Sequence, residues 1–584
     1  MKMKNRFLSI ALLLATAVCA TDCTDLSEHV YSKVMSENFY QTKQDIIRAV
    51  YRPFEHCFAV ETTNFETEQE SADQMITPTR DNSWTDDHRW ERQHRHQWNI
   101  DEGICRAGIP WNQWYKGIGL ANLALEDISR LNPEDYDCTQ AEFDSFIGQL
   151  RGIRAYFYFW LFNGYRNLLI VTTTSSDTNL ALKQVSPQEF FSWYEKELLE
   201  ILELLPAKEG TAGNGNKQGS INKATVATLL VRLYLNAEKY IGEPKYEECI
   251  KMCERITSGE FGYYAVGENW YEPFDWNNET SNEVIFAYPA TFGGTRWHTN
   301  GSSSRTIYWR CNPYGGEKTF QITSNSWTNP MYALSPSYDN DGTLFPYKLG
   351  MVTQKFEKYP GDVRYKQYKN LGNNTREGMF FLEGYVMDTS TGQIVSRNGY
   401  NIYLLDRVGA YRSGAATRTI TGESSASTMG NGDFCSGLYV VKYPFYPETE
   451  SGCLEEDYTV MRLPEIIYSE AESHLRLGHT ETAAKLLNSV RKRNYPESRW
   501  SQVLYAPEGN ATLDMEEMLD EWGREFLCES RRRTDLIRFN RFGEAWWDKE
   551  ADADDHLELF PLRREVLQQN HNLRQNPGYE DIAR

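Results

Sequence analysis

The stretch Asp514–Phe542, DMEEMLDEWGREFLCESRRRTDLIRFNRF, constrains the fold more than any other part of this chain. Met515, Met518, Leu519, Trp522, Phe526 and Leu527 recur at helical spacing and give it one apolar face. Asp514 with Glu517 reads as a capping box at its start. Acids crowd the first turns, and Arg531, Arg532, Arg533 and Arg538 crowd the last, which suits the helix dipole. The apolar face of such a helix requires a partner elsewhere in the chain. Glu525, Glu529 and Asp535 lie at three- and four-residue spacing from the arginines, so spacing predicts intramolecular ion pairs rather than a ligand site.

The same period recurs in pieces. Gln44–Phe58 places Ile46, Ile47, Val50, Tyr51 and Phe54 on one side, and Trp111–Leu131, Thr139–Gly164, Pro187–Leu205, Ile221–Asn236 and Tyr246–Thr257 read as further helices. NKATVATLLVRLYLNAEKY followed by YEEC resembles a tetratricopeptide unit. So does AESHLRLGHTETAAKLLNSVRKR at 471–493, where Gly478 and Ala483 hold the turn spacing. A helix pair that cannot bury its own face stacks on its neighbours. The predicted fold is therefore mainly α. It is a tetratricopeptide-like scaffold of about four degenerate helix pairs, from residues 42–58, 111–164, 187–257 and 458–543. Residues 41–257 and 458–584 form its two parts. Residues 258–457 are a loop-rich insertion, dominated by Gly, Ser, Thr, Asn and aromatics, with short strands expected near 380–388 and 400–407. Residues 61–99 are polar and show no sustained period, and Gly210–Gly219 is a loop.

At the N-terminus, Lys2, Lys4 and Arg6 precede the apolar run Phe7–Ala20, which is too short to span a bilayer. Residues 1–22 read as an export signal, Cys23 as the cysteine to be lipidated, and residues 23–40 as a tether. Asp22 occupies a place where a small residue is expected, and Cys19 is the other candidate. The formal charge of −21 argues against nucleic-acid or anionic-lipid partners, which need basic surface. The eleven cysteines are scattered without a C-x-x-C pair, and no disulfide framework is expected.

Motifs for catalysis are absent from the sequence: it contains no G-x-S-x-G, H-E-x-x-H, Walker loop or dinucleotide fingerprint. His88, His94 and His96 beside Asp86 and Asp87 have a weak metal-site pattern, and Asp339-x-Asp341-Gly342 is a calcium-loop fragment without its distal Glu. Neither is specific, and no metal or cofactor is expected.

Several motifs carry a family resemblance. D-E-x-x-R-E-F-x-x-E-x-x-R-x-x-D-L-x-R-F within 520–539, MRLPEIIYSEAESHLRLG (Met461–Gly478) and LFPLRREVLQQNHNLRQNPGY (Leu559–Tyr579) resemble, in order, the C-terminal signature of the SusD/RagB family. ESADQM, WNQWYKGIGLANLALEDI, QLRGIRAYFYFWLFNGYRN, NETSNEVIFAYP, EKYPGDVRY and SGLYVVKYPFY resemble its other segments. The resemblance implies an outer-membrane, surface-exposed lipoprotein on a tetratricopeptide-like scaffold. Such a protein binds a glycan without catalysis and acts as a lid on a SusC-like TonB-dependent transporter. The alternatives are a peptide-binding member and a surface glycoside hydrolase.

Sugars present apolar C–H faces rimmed by hydroxyls, and call for exposed aromatic faces flanked by forked polar groups. Two Trp-bearing polar loops supply these. One offers Asp73, Arg80, Asn82, Trp84 and Trp98, the other Arg296, Trp297, Asn300, Tyr308 and Trp309. In the family the glycan site is assembled from the loop after the first helix and loops of the middle insertion, which are these regions. Residues 292–350 match the family pattern least.

Overall fold

Asp514 caps a helix as its sequence predicts: its Oδ1 accepts the Glu517 amide at 2.8 Å. In the computed structural model the Asp514–Phe542 stretch is nevertheless two helices, Met515–Glu525 and Arg532–Arg538, with Cys528 in the left-handed region between them. The break is held from outside. Lys442 Nζ donates to the carbonyls of Glu525 and Leu527 at 3.1 and 2.9 Å, and the Arg462 guanidinium donates to the Glu525 carbonyl at 3.0 Å. The structure describes residues 39–81, 86–102, 110–175, 181–210, 219–290, 313–321, 332–409, 426–447, 449–451 and 455–582. Cys23, Trp84, Arg296, Trp297, Asn300, Tyr308 and Trp309 lie outside them, as does Asn82.

The chain divides into two units after Ile46. In the first, the Asp45 carboxylate accepts the Thr42 amide at 2.9 Å and the Thr42 hydroxyl at 2.7 Å, a local cap ahead of the first long helix. The second unit contains the scaffold.

We number the long helices α1 (Lys43–Gln69), α2 (Pro110–Ile128), α3 (Gln140–Tyr165), α4 (Pro187–Leu204), α5 (Lys223–Leu235), α6 (Tyr246–Thr257), α7 (Leu463–Arg476), α8 (Thr480–Arg491), α9 (Met515–Glu525) and α10 (Arg532–Arg538). From α2 to α8 each helix packs on the next, so α7 and α8 continue a stack that left off at α6, some 200 residues earlier in sequence. Thr139 and Ser186 form complete capping boxes with Glu142 and Glu189, fixing the starts of α3 and α4. Gly117 of α2 lies beneath the Phe157 ring of α3, where any Cβ would overlap the ring. The helix pair closes to that distance because residue 117 has no side chain.

α1 does not stop at Phe58 but runs on to Gln69 through the polar segment that shows no period. Glu61, Thr63, Asn64, Glu66, Thr67, Glu68 and Gln69 are all buried. Glu61, Asn64, Thr67 and Glu68 are tolerated because interior partners meet them. Asn64 Oδ1 accepts the Trp114 indole N–H at 2.9 Å. Glu68 accepts the Thr534 amide at 2.9 Å and Asn163 Nδ2 at 3.0 Å.

Among the described residues there are seven two-stranded antiparallel sheets, five wholly within the insertion and two that pair it with Met75–Ile76 and Tyr458–Arg462. Short strands at 380–381, 384–385, 387–388, 400–401 and 403–404 fall where they are expected. The longest pairing sets Val284–Tyr288 against Tyr458–Arg462, and residue 458 thus begins a strand rather than a helix. That strand feeds directly into α7, with Pro464 in its first turn. Six described cysteines, at 57, 138, 249, 253, 435 and 528, are buried free thiols. No helix among the described residues is long and apolar enough to cross a membrane.

Candidate functional site

The charged residues of the family-like motifs meet in the interior. Arg462, from MRLPEIIYSEAESHLRLG, reaches Glu525 at 2.7 Å, Glu529 at 2.8 Å and Glu283, of NETSNEVIFAYP, at 3.1 Å. Arg364, from EKYPGDVRY, forks Asp362 at 2.7 and 3.0 Å and reaches Glu525 at 2.8 Å. Arg493 adds a third guanidinium to Glu525 at 2.8 Å. Burial alone would raise the Glu525 carboxyl, but Arg462, Arg493 and Arg364 together hold it well below the ordinary carboxylate range. Arg538 pairs with Glu472 at 2.8 and 2.9 Å. Of the pairs predicted by spacing, Arg531 with Asp535 at 2.9 Å and Arg538 with Asp535 at 2.8 Å are local. The others are replaced by partners from distant segments. This cluster is buried, and it organises the scaffold instead of facing a ligand.

Asp73 is held in the interior by a separate pair. Its carboxylate accepts a fork from Arg532, at 2.7 and 2.9 Å across 459 residues of sequence, and the Gly350 amide at 2.7 Å. Burial raises this carboxyl too, yet the Arg532 guanidinium prevails and keeps it low. Asp73 is fully buried and its side chain holds the fold. Arg80 is also interior. It donates to the carbonyls of Asp433 and Ser436 at 2.7 and 2.9 Å and lies over the Tyr439 ring. Trp98 is buried against Phe560 and His96, with its indole N–H on the Tyr579 hydroxyl at 2.8 Å. These three side chains spend their polar groups inside the protein, and the open faces expected of them for a sugar are not present.

His94 donates to the Trp547 carbonyl at 2.7 Å, and His96 sits between Asp552 Oδ2 and the Ser71 carbonyl at 2.7 and 2.9 Å. Among the described residues no group of three or more His, Cys, Asp or Glu is placed to hold a metal ion. Asp339–Thr343 is a tight turn in which Asp341 Oδ1 accepts the Thr343 amide at 2.8 Å and Gly342 takes a φ of +90°.

The segments themselves do come together. Met75 and Ile76 pair with Leu334 and Ala333, so the stretch after α1 is stitched to the middle insertion. Thr79 and Asp81 donate their amides to the Met429 and Gly432 carbonyls at 2.7 and 3.0 Å. Asp81 Oδ2 then accepts Asn398 Nδ2 at 2.5 Å and the Tyr400 hydroxyl at 2.9 Å. Beside it, Arg397 lies over the Tyr314 ring at 4.6 Å and donates to its hydroxyl at 2.6 Å, while Tyr314 packs on Phe434. One patch thus collects Asp81, Tyr314, Arg397 and Asn398 over a buried floor that includes Arg80, Tyr400 and Phe434. It offers a partly exposed aromatic, a stacked guanidinium and an amide, the group types that recognise a hydroxylated ring. Sequence reasoning passed over Tyr314, Arg397 and Asn398. Tyr314 and Arg397 are 83 residues apart, and only the folded chain makes them neighbours.

Comparison with known proteins identifies the family. The profile of the SusD family matches residues 282–579, and one described as "Starch-binding associating with outer membrane" matches residues 26–235. This chain belongs to the SusD family. The starch-binding protein SusD of Bacteroides thetaiotaomicron is 24% identical over 456 residues, covering 74% of this chain and 72% of that protein. Two solved SusD-like structures share the fold. Surface glycan-binding protein A from Bacteroides thetaiotaomicron, in complex with laminarihexaose, superposes with a TM-score of 0.61 at 16% identity, over 92% of this chain and 99% of its own. NanU of Bacteroides fragilis gives 0.62 at 15%, over 94% and 100%. The SusD-family signature at 520–539 is, in this chain, the charge cluster that joins α9 and α10 to the rest of the scaffold.

Proposed function

We propose that the chain captures a glycan at the outer cell surface and passes it to a SusC-like TonB-dependent transporter, doing no chemistry on it. It is held to the membrane by a lipid on Cys23. Membership of the SusD family supports the glycan, as do relatives named for starch and laminarihexaose. The observation that carries the reading is the joining of the 73–81 segment to 332–350 and 396–436, which sets the start of the first Trp-bearing polar loop against the middle insertion. The ligand platform is assigned to Trp84 and Trp297, with Arg296, Asn300, Tyr308 and Trp309 near Trp297 in sequence.

The test is a glycan array on the chain lacking residues 1–23, followed by calorimetry with the best hit on the parent and on Trp84→Ala and Trp297→Ala. Each substitution is expected to weaken binding by roughly 1–3 kcal/mol with an unchanged melting temperature. Parental affinity in both variants would remove the site from these loops. Cleavage of the labelled hit by purified protein would overturn the non-catalytic role.

A further inference from the structure

A recess built from none of those segments lies between α6 and the strand Val284–Tyr288. From Phe261 to Glu283 the chain has no regular structure apart from the 3-10 turns Glu272–Phe274 and Asn278–Thr280. It is tied down all the same. Asn278 Nδ2 donates to the Pro273 and Asp457 carbonyls at 3.0 and 2.8 Å, and its Oδ1 accepts the Asp457 amide at 2.8 Å. Lys208 Nζ donates to the Tyr263 carbonyl at 2.8 Å and to Asn282 Oδ1 at 2.9 Å. The recess is open on one side and its volume is about 530 Å³, within the roughly 300–1,000 Å³ of small-ligand sites.

The lining is aromatic in part and otherwise rich in acceptors: Tyr263 and Tyr271, then Glu268, Glu272, Asp275 and Asn277, with no lysine or arginine. Tyr263 is 49% exposed, whereas Phe261 beside it is buried. Asp275 is the informative residue. It is only 5% exposed. Its Oδ1 accepts the Tyr446 hydroxyl and the Trp276 amide, both at 2.8 Å, and its Oδ2 accepts no hydrogen bond among the described residues. Burial pushes its carboxyl above the ordinary range. An acceptor atom that opens onto a recess is met by a donor from the recess's occupant. Three carboxylates without a lining cation disfavour an anion. A neutral sugar ring supplies what is missing: C–H groups for an aromatic face and hydroxyl hydrogens for the carboxylate.

We infer that this recess is a second saccharide contact, which takes one neutral hexose unit with its face on Tyr263 and a hydroxyl donated to Asp275 Oδ2. The choice of ligand class rests on the proposed glycan capture; the site is one that reading does not use. The test is saturation-transfer NMR on the chain lacking residues 1–23, with glucose, galactose and mannose as probes. Transfer to at least one hexose is expected to fall roughly ten-fold in Tyr263→Ala and to persist in Tyr263→Phe, with equal melting temperatures. No transfer from the parent to any of the three overturns the inference, and so does equal transfer from parent and Tyr263→Ala. Loss only in the Trp84→Ala/Trp297→Ala double variant overturns it while leaving glycan capture standing. Loss only in Tyr263→Ala upholds it and removes the platform from the loops. Calorimetric calcium binding that disappears in Asp275→Asn, without hexose transfer, also overturns it.

Discussion

Trp522 and Arg532 sit ten residues apart and are buried for different reasons. Trp522 fills the core, donates its indole N–H to Glu472 Oε2 at 2.7 Å, and carries the Arg531 guanidinium 3.8 Å above its ring. Trp522→Ala is expected to cost about 3–5 kcal/mol, as large-to-small core changes do. Arg532 is charged, and by spacing alone an exposed pair of small worth would be expected of it. The structure buries it against Asp73, so Arg532→Ala strands a carboxylate in the interior and is expected to cost a similar 3–5 kcal/mol. Urea unfolding of both variants checks this, and an unchanged midpoint for Arg532→Ala would show that water reaches Asp73. An Asp73→Ala/Arg532→Ala double variant should recover part of the loss, because no unpaired charge remains.

Among the elements, helix starts were legible where a cap and a period coincide, as at Thr139, Ser186 and Asp514. Two features were not. The second half of α1 is polar on every side, and hydrophobic period signals a helix only when one face meets water. The break after Glu525 is set by Lys442, 83 residues away from the carbonyl it holds, and no local pattern encodes it. Lys442→Met would leave the Leu527 carbonyl without this donor and remove one cation from Glu529. We expect a loss on the order of 2–4 kcal/mol. The denaturation midpoint measures it, and a parental value would mean the break is intrinsic to residues 526–531.

At the level of the whole molecule, the family motifs were legible as strings and their meeting point was not. Asp73, Glu283, Arg364 and Arg462 each look like surface charges in a chain with 82 acids; three-dimensional closure turns them into buried, paired groups. The same closure brought the loop-bearing segments together but turned Arg80 and Trp98 inward. That could not be foreseen, because a Trp in a polar stretch gives no sign of which side it will face. Closure also creates a proton-linked term. Glu61 of α1 is buried where it accepts Asn64 Nδ2 at 3.0 Å, the Tyr288 hydroxyl at 3.1 Å and the Ser530 hydroxyl at 3.2 Å. Burial pushes its carboxyl from 4.5 up to about 7. Because the folded value lies above the unfolded one, the favourable contribution is complete below the unfolded pKa and is lost as pH rises through the folded one. Glu61→Gln, which cannot ionise, should therefore melt progressively higher relative to the parent between pH 4.5 and 7, with a constant gap above. Melting curves across that range decide it; a gap that does not change with pH would mean that Glu61 stays ionised throughout.

The ion pair between Asp73 and Arg532 has a consequence in time. A chain is synthesised and exported from its N-terminus, so α1 and the carboxylates of Glu68 and Asp73 emerge long before their partners in α10. Contacts of such sequence separation form late in folding. Until the last tenth of the polypeptide is made, the Asp73 and Glu68 carboxylates lack the partners that α10 gives them in the folded protein.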